Sequence, residues 1–213
     1  MLLKERNSII AIPLKNVILK GNLHIPQNAK GIVLFSHGSG SSRLSPRNTY
    51  VANLLQQKGI GTLLFDLLTE NEDRTDENWF NIDLLTERLM GVTQWIGNQK
   101  ETKTLSLGYF GASTGAASAL RAAAFFGNEI KAVVSRGGRP DLALQDLYGV
   151  TAPTLLIVGG WDDKVIELNE KAYQKLRCHK KLEMVPNASH LFEESGKLEE
   201  MARISTMWFL KWM

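Results

Sequence analysis

The chain has 213 residues, 44% hydrophobic and 22% charged, with 18 Gly and 6 Pro. That length suits one domain over residues 1–213, since a domain this size buries roughly 70% of the surface its unfolded chain exposes, and the composition excludes disorder and fibrous repeats. The net charge of +3 comes from dispersed residues, and the densest basic group, Arg177, His179, Lys180 and Lys181, is too short for a nucleic-acid face.

Apolar periodicity switches repeatedly between strand and helix character along the chain. Residues 8–12 and 17–25 read as strands punctuated by Pro13, Asn16 and the turn Pro26-Gln27-Asn28. Residues 31–35 form a continuous apolar run, which predicts a strand buried on both faces. A helix follows, capped by Ser45, with Pro46 at its first position and Gly59 past its end. Tyr50, Val51, Leu54 and Leu55 mark its inner stripe. Residues 62–65 make the next buried strand. Residues 70–78 carry five acids and one base and read as a solvated loop, or as a flap at a site entrance.

Ile82, Leu85, Leu89, Val92 and Trp95 fall at helical spacing and stop at Gly97. A strand over 105–110 leads into an alanine-rich helix over 114–126, and strands follow at 132–135 and 154–158. A helix near 166–177, a strand over 182–185 and a helix over 197–212 complete the order, the last with Leu198, Met201, Ala202, Ser205, Trp208 and Trp212 inward. Alternating strands and helices with near-continuous apolar strands predict an α/β fold: a mostly parallel, doubly wound sheet.

Gly111-Ala112-Ser113-Thr114-Gly115 matches Gly-x-Ser-x-Gly and sits directly between an apolar strand and a small-residue helix. A serine nucleophile needs that setting, because a sharp turn lifts its hydroxyl clear of the sheet while the flanking glycines make room. A phosphate-binding loop would instead want Gly-x-Gly-x-x-Gly near the first strand. Serine also needs a base, and the base a carboxylate to orient it. Of the histidines after Ser113, His179 stands among cations, whereas His190 lies in a loop after the last strand. The segment Gly159-Gly160-Trp161-Asp162-Asp163-Lys164-Val165 offers the acid. Its Asp-x-x-Val pattern favours Asp162 over Asp163, a helix-cap candidate, and over Asp141. Two N–H donors must meet the developing oxyanion. Thr114 supplies one, and Ser39, with Gly40 as alternative, the other from the loop 36–42. His37 reads as a brace for that loop. Arg43, Arg136 and Arg139, with Arg47, lie in segments near the rim and could bind a carboxylate on the substrate, or form structural ion pairs such as Arg139 with Asp141.

Together the His37–Ser42 loop, the Gly111–Gly115 turn, Gly160-Trp161-Asp162 and Ala188-Ser189-His190 resemble the dienelactone hydrolase-like branch of the α/β-hydrolases, from about residue 17 onward. The resemblance implies an eight-strand sheet, ester hydrolysis through an acyl-enzyme, and no metal or organic cofactor. Dienelactone hydrolases proper carry cysteine at the nucleophile position, so Ser113 points to a general esterase. A similar domain occurs fused to phosphoribosyltransferases in some bacteria. Only residues 136–152 separate two strands where many α/β-hydrolases insert a helical cap, so no large cap is expected. Rival readings are an acyltransferase on the same fold and a non-catalytic binding module. Cys178 is the lone cysteine, the N-terminus lacks a signal-peptide pattern, and no apolar run nears a membrane span. Those features predict a cytoplasmic protein rather than a membrane one; the triad and the resemblance imply a small-molecule ester as partner rather than nucleic acid, and the chain is expected as a monomer or homodimer.

Overall fold

The structure, a computed structural model, describes residues 5–213. β1 (Arg6–Pro13) and β2 (Ile18–Ile25) form an antiparallel hairpin, and β2 also runs antiparallel to β4 (Gly61–Phe65). β3 (Gly31–Ser36) pairs parallel with β4 and β5 (Ser106–Ala112). β6 (Ile130–Arg136), β7 (Thr154–Gly159) and β8 (Lys180–Val185) extend the parallel part. The eight strands lie in the order β1-β2-β4-β3-β5-β6-β7-β8.

The apolar run of β3 divides by the period of two. Ile32 and Leu34 join the core beneath α3 (Ile82–Gly97), α4 (Thr114–Phe126) and α5 (Asp163–Lys175), whereas Val33 and Phe35 join the core beneath α1 (Pro46–Gln57) and α6 (Lys197–Trp212). Helices therefore cover both faces, which is why the central strands carry no polar alternation. The chain reverses its direction of winding at β3 and β5, and in open α/β sheets the crevice beyond the carboxyl ends at such a point holds the ligand.

Several details differ from the pattern reading. Tyr50 is exposed, and the inner face of α1 is instead Asn48, Val51, Ala52 and Leu55. Trp95 is half-buried while Ile96 is buried, and Phe209 rather than Trp212 is sealed into the core. α5 begins at Asp163 and β8 at Lys180, both earlier than expected. β8 is an edge strand with mostly half-buried residues, so its polar start gave no apolar signal. The acidic stretch folds into a 3-10 turn (Glu72–Arg74) and a short helix α2 (Asp76–Trp79), because Glu72 accepts from Thr69 N–H at 2.8 Å and from Arg88 Nη2 at 2.7 Å. Between β6 and β7 stand only two 3-10 turns, Pro140–Ala143 and Leu147–Gly149, so no large cap covers the sheet. Among the described residues no helix is long and apolar enough to cross a membrane.

Candidate active site

Ser113 sits between β5 and α4 with φ 50° and ψ −121°, a conformation side chains avoid. Two clamps fix it: Ser113 N–H donates to Arg136 O at 3.1 Å, and Arg139 N–H donates to Ser113 O at 3.0 Å. The surrounding glycines are needed for close approach. A methyl on Gly115 would overlap the carbonyl oxygens of Ser36 and His37, and one on Gly111 would stand 2.5 Å from Ala116 Cα. The turn is thus locked between the ends of β3 and β6.

Asp162 occupies the N-cap of α5 but makes no capping bond there. Its Oδ2 meets His190 Nδ1 at 2.6 Å instead. An ionised carboxylate only accepts, so Nδ1 carries a proton, and in the neutral ring Nε2 then holds the lone pair. The bond to Asp162 is the one side-chain hydrogen bond of His190 among the described residues. Asp163 is the first residue of α5 and not its cap, and Val165 is buried beneath the turn. Asp141 is paired with Arg139. The His190 ring lies over Gly137, where a methyl would stand 3.2 Å from its Cε1, one residue beyond the carbonyl that grips Ser113. The elbow and the His190–Asp162 pair therefore converge on residues 136–139.

The His190 loop is held by contacts that pattern reading missed. Ser189 N–H donates to Glu194 Oε2 at 3.0 Å, and Arg47 Nη1 reaches Glu193 Oε1 at 3.0 Å. The bond from Ser189 pulls the Glu194 carboxyl below its ordinary range. Phe192 is buried with φ 58° and Asn187 has φ 57°, so the loop doubles back twice. The run Phe192-Glu193-Glu194, two residues after His190, was the available signal: an apolar anchor followed by two acids.

Ser39 N–H donates to Thr114 Oγ1 at 3.0 Å, tying the two expected donors of the oxyanion hole together. Thr114 is the first residue of α4, where N–H groups lack intrahelical partners. His37 is buried, its Nδ1 bonded to Gly38 O at 3.0 Å and its Nε2 accepting from Leu67 N–H at 3.1 Å. Burial lowers its pKa despite the Gly38 bond and the charges of Asp66 and Asp73.

The arginines fare differently. Arg43 binds Asp66 through its backbone N–H at 2.8 Å and Nη1 at 2.6 Å, and Arg139 binds Asp141 through Nε and Nη2, each at 2.8 Å. The bonds to Asp141 raise the pKa of Arg139. Arg136 is 4% exposed and meets no carboxylate among the described residues. No group of three or more His, Cys, Asp or Glu side chains among the described residues is placed to hold a metal ion.

No family model matches the chain. Two curated proteins of Mycobacterium tuberculosis, provisionally named phosphoribosyl transferases, are 52% identical over 206 residues, which is 97% of this chain and 46% of theirs. The chain thus spans about half the length of those relatives. The protein Est1E of Butyrivibrio proteoclasticus shares the fold at 16% identity and a TM-score of 0.82, over 95% of this chain and 98% of its own. The crystal structure of a dienelactone hydrolase from Anabaena variabilis superposes with a TM-score of 0.95 at 52% identity, over 98% of this chain and 99% of that one. With half its residues shared over nearly the whole of both chains, this chain belongs to the dienelactone hydrolase-like family of the α/β-hydrolases.

Proposed function

We propose that the chain hydrolyses carboxylic esters through an acyl-enzyme, with Ser113 as nucleophile, His190 as base and Asp162 as its orienting acid. The observation that carries this reading is the 2.6 Å His190–Asp162 bond beside a strained serine at the C-terminal edge of the sheet. Nε2 of His190 takes the Ser113 proton as Oγ attacks the carbonyl carbon, and the carbonyl electron pair moves onto oxygen. Collapse of that intermediate breaks the ester C–O bond, and the leaving oxygen takes the proton from His190. Water then repeats the sequence, giving its proton to His190, releasing the carboxylic acid and returning the proton to Ser113. Among the described residues Ser113 Oγ and His190 Nε2 are not hydrogen-bonded; that bond forms on substrate binding, as catalytic contacts commonly close only then.

Thr114 N–H and Ser39 N–H are the donors proposed for the oxyanion, the latter exchanging Thr114 Oγ1 for the substrate oxygen. Each such donor contributes roughly 10²–10³ in rate. Of the four arginines considered for an anionic substrate, Arg43, Arg47 and Arg139 are paired with carboxylates, which leaves Arg136 as the best supported. We assign the transferase name of the mycobacterial relatives to the part of them beyond the matched 206 residues. One domain, a cytoplasmic location and a small-molecule ester partner complete the reading.

The test is a fluorophosphonate probe followed by nitrophenyl ester turnover. The wild type takes the label and turns over ester; Ser113→Ala does neither, and His190→Ala loses turnover. Labelling of Ser113→Ala would sink the assignment. Adding a competing alcohol and analysing products separates hydrolysis from acyl transfer, and an unlabelled but folded wild type would favour a binding module.

A further inference from the structure

Arg136 ends β6 in register with Ala112, the residue before the nucleophile. Its side chain turns toward α1, where Nη2 reaches Asn48 Oδ1 at 3.4 Å, and its Nε is buried with no hydrogen-bond partner. The charge that bears on it is another cation, Arg47. Arg47 also has a buried, unpartnered Nε, and its carboxylate partner Glu193 is largely exposed. Burial and the Arg47 charge bring the Arg136 pKa down to about 10, so the group stays cationic at neutral pH. A buried cation lacking a counter-charge is costly, and such groups cluster where a ligand supplies the missing charge.

Arg47 and Asn48 lie in the first turn of α1, whose N-cap is Ser45. Pro46 has no N–H and the Asn48 N–H is donated to Ser45 Oγ, so the helix start adds positive potential and the Arg47 N–H to the same spot. Two guanidinium groups and a helix start therefore share a single carboxylate, Glu193, which pairs with Arg47 alone, and this leaves an excess of positive charge. Glu193 belongs to the His190 loop, so the cluster borders the candidate active site.

We propose that Arg136, Arg47 and the first turn of α1 form an oxyanion site that takes a phosphate group, either borne by the substrate or as free phosphate. The excess charge matches a dianion better than a carboxylate, and paired guanidinium groups suit its several oxygens. The substrate-borne form rests on the ester-hydrolase reading; phosphate binding itself does not.

The test is thermal unfolding of the full chain, wild type and Ser113→Ala, in inorganic phosphate against sodium chloride at matched ionic strength. Both proteins should show a saturable rise in Tm with phosphate. Arg47→Gln, at a half-exposed position, should weaken the apparent affinity by about tenfold or more, the effect of losing one charge-assisted hydrogen bond. Equal shifts in chloride and phosphate, or unchanged affinity in Arg47→Gln, would overturn the site. Stabilisation by acetate equal to that by phosphate would overturn the dianion. A kcat/KM preference for a phosphate-bearing ester over its uncharged analogue, lost in Arg47→Gln, identifies the substrate as the source. Phosphate binding without that preference identifies the free ion. Failure of the ester-hydrolase reading would show separately, as no turnover of either ester while phosphate still binds.

Discussion

His37 links three pieces of chain: its own strand end, the loop carrying Ser39, and Leu67 beyond β4. Gly38 O can only accept and Leu67 N–H can only donate, so the ring is the neutral tautomer with its proton on Nδ1. Protonating Nε2 would break the Leu67 bond and charge a buried group, which is why burial depresses the pKa below 6.5. In the unfolded chain the ring accepts its proton near 6.5, before the folded form does. Stability from this group is therefore complete above 6.5 and falls as pH drops from there toward the folded pKa. Melting temperatures followed from pH 8 downward should show an acid loss that His37→Gln shares less, since its amide oxygen can take the Leu67 bond without titrating. Parallel profiles for the two proteins would remove His37 as the cause. Such a role was legible in outline, because a histidine before Gly38 at a strand end faces the chain rather than solvent. The Ser39–Thr114 bond was not, since it joins residues 75 apart whose meeting depends on the finished sheet.

Among the elements, the strands were the most legible and the helix faces the least. Apolar runs at β3, β4 and β7 follow from burial on both sides, which leaves little freedom for polar residues. α1 defeated the stripe because the one buried residue of its first turn is Asn48, which faces Arg136 rather than a hydrophobic neighbour. The His190 loop was legible as a place but not as a structure, for its restraints come from Glu194, Arg47 and the buried ring of Phe192. Phe192 joins the core beneath α1 and α6 although its backbone is left-handed, a strain that packing must offset. Phe192→Ala should cost about 3–5 kcal/mol of stability, the usual range for emptying a buried phenyl site. It should also lower kcat more than it raises KM, because His190 loses its fixed place while the crevice keeps its shape. Denaturant unfolding with steady-state kinetics reads both, and a stability loss with unchanged kcat would mean that the loop is held by its hydrogen bonds alone.

At the scale of the molecule, the crossover from β6 to β7 decides what can cover the crevice. It contains two single 3-10 turns and no cap helix, so the site is bounded by short loops. Trp79 rests over Gly40, and Trp161, beside Asp162, is 61% exposed, giving an aromatic rim without a roof. An acyl chain gains about 0.8 kcal/mol per methylene only when that methylene leaves water, which is about fourfold in kcat/KM per carbon. A rim that covers only the first carbons cannot sustain that slope. Across a nitrophenyl ester series from acetyl to decanoyl, kcat/KM should therefore level off or fall after the short chains. A steady climb of about fourfold per methylene through decanoyl would require a covered apolar channel. Such a channel could form only if the β6–β7 turns or the segment carrying Trp79 rearranged around the ligand.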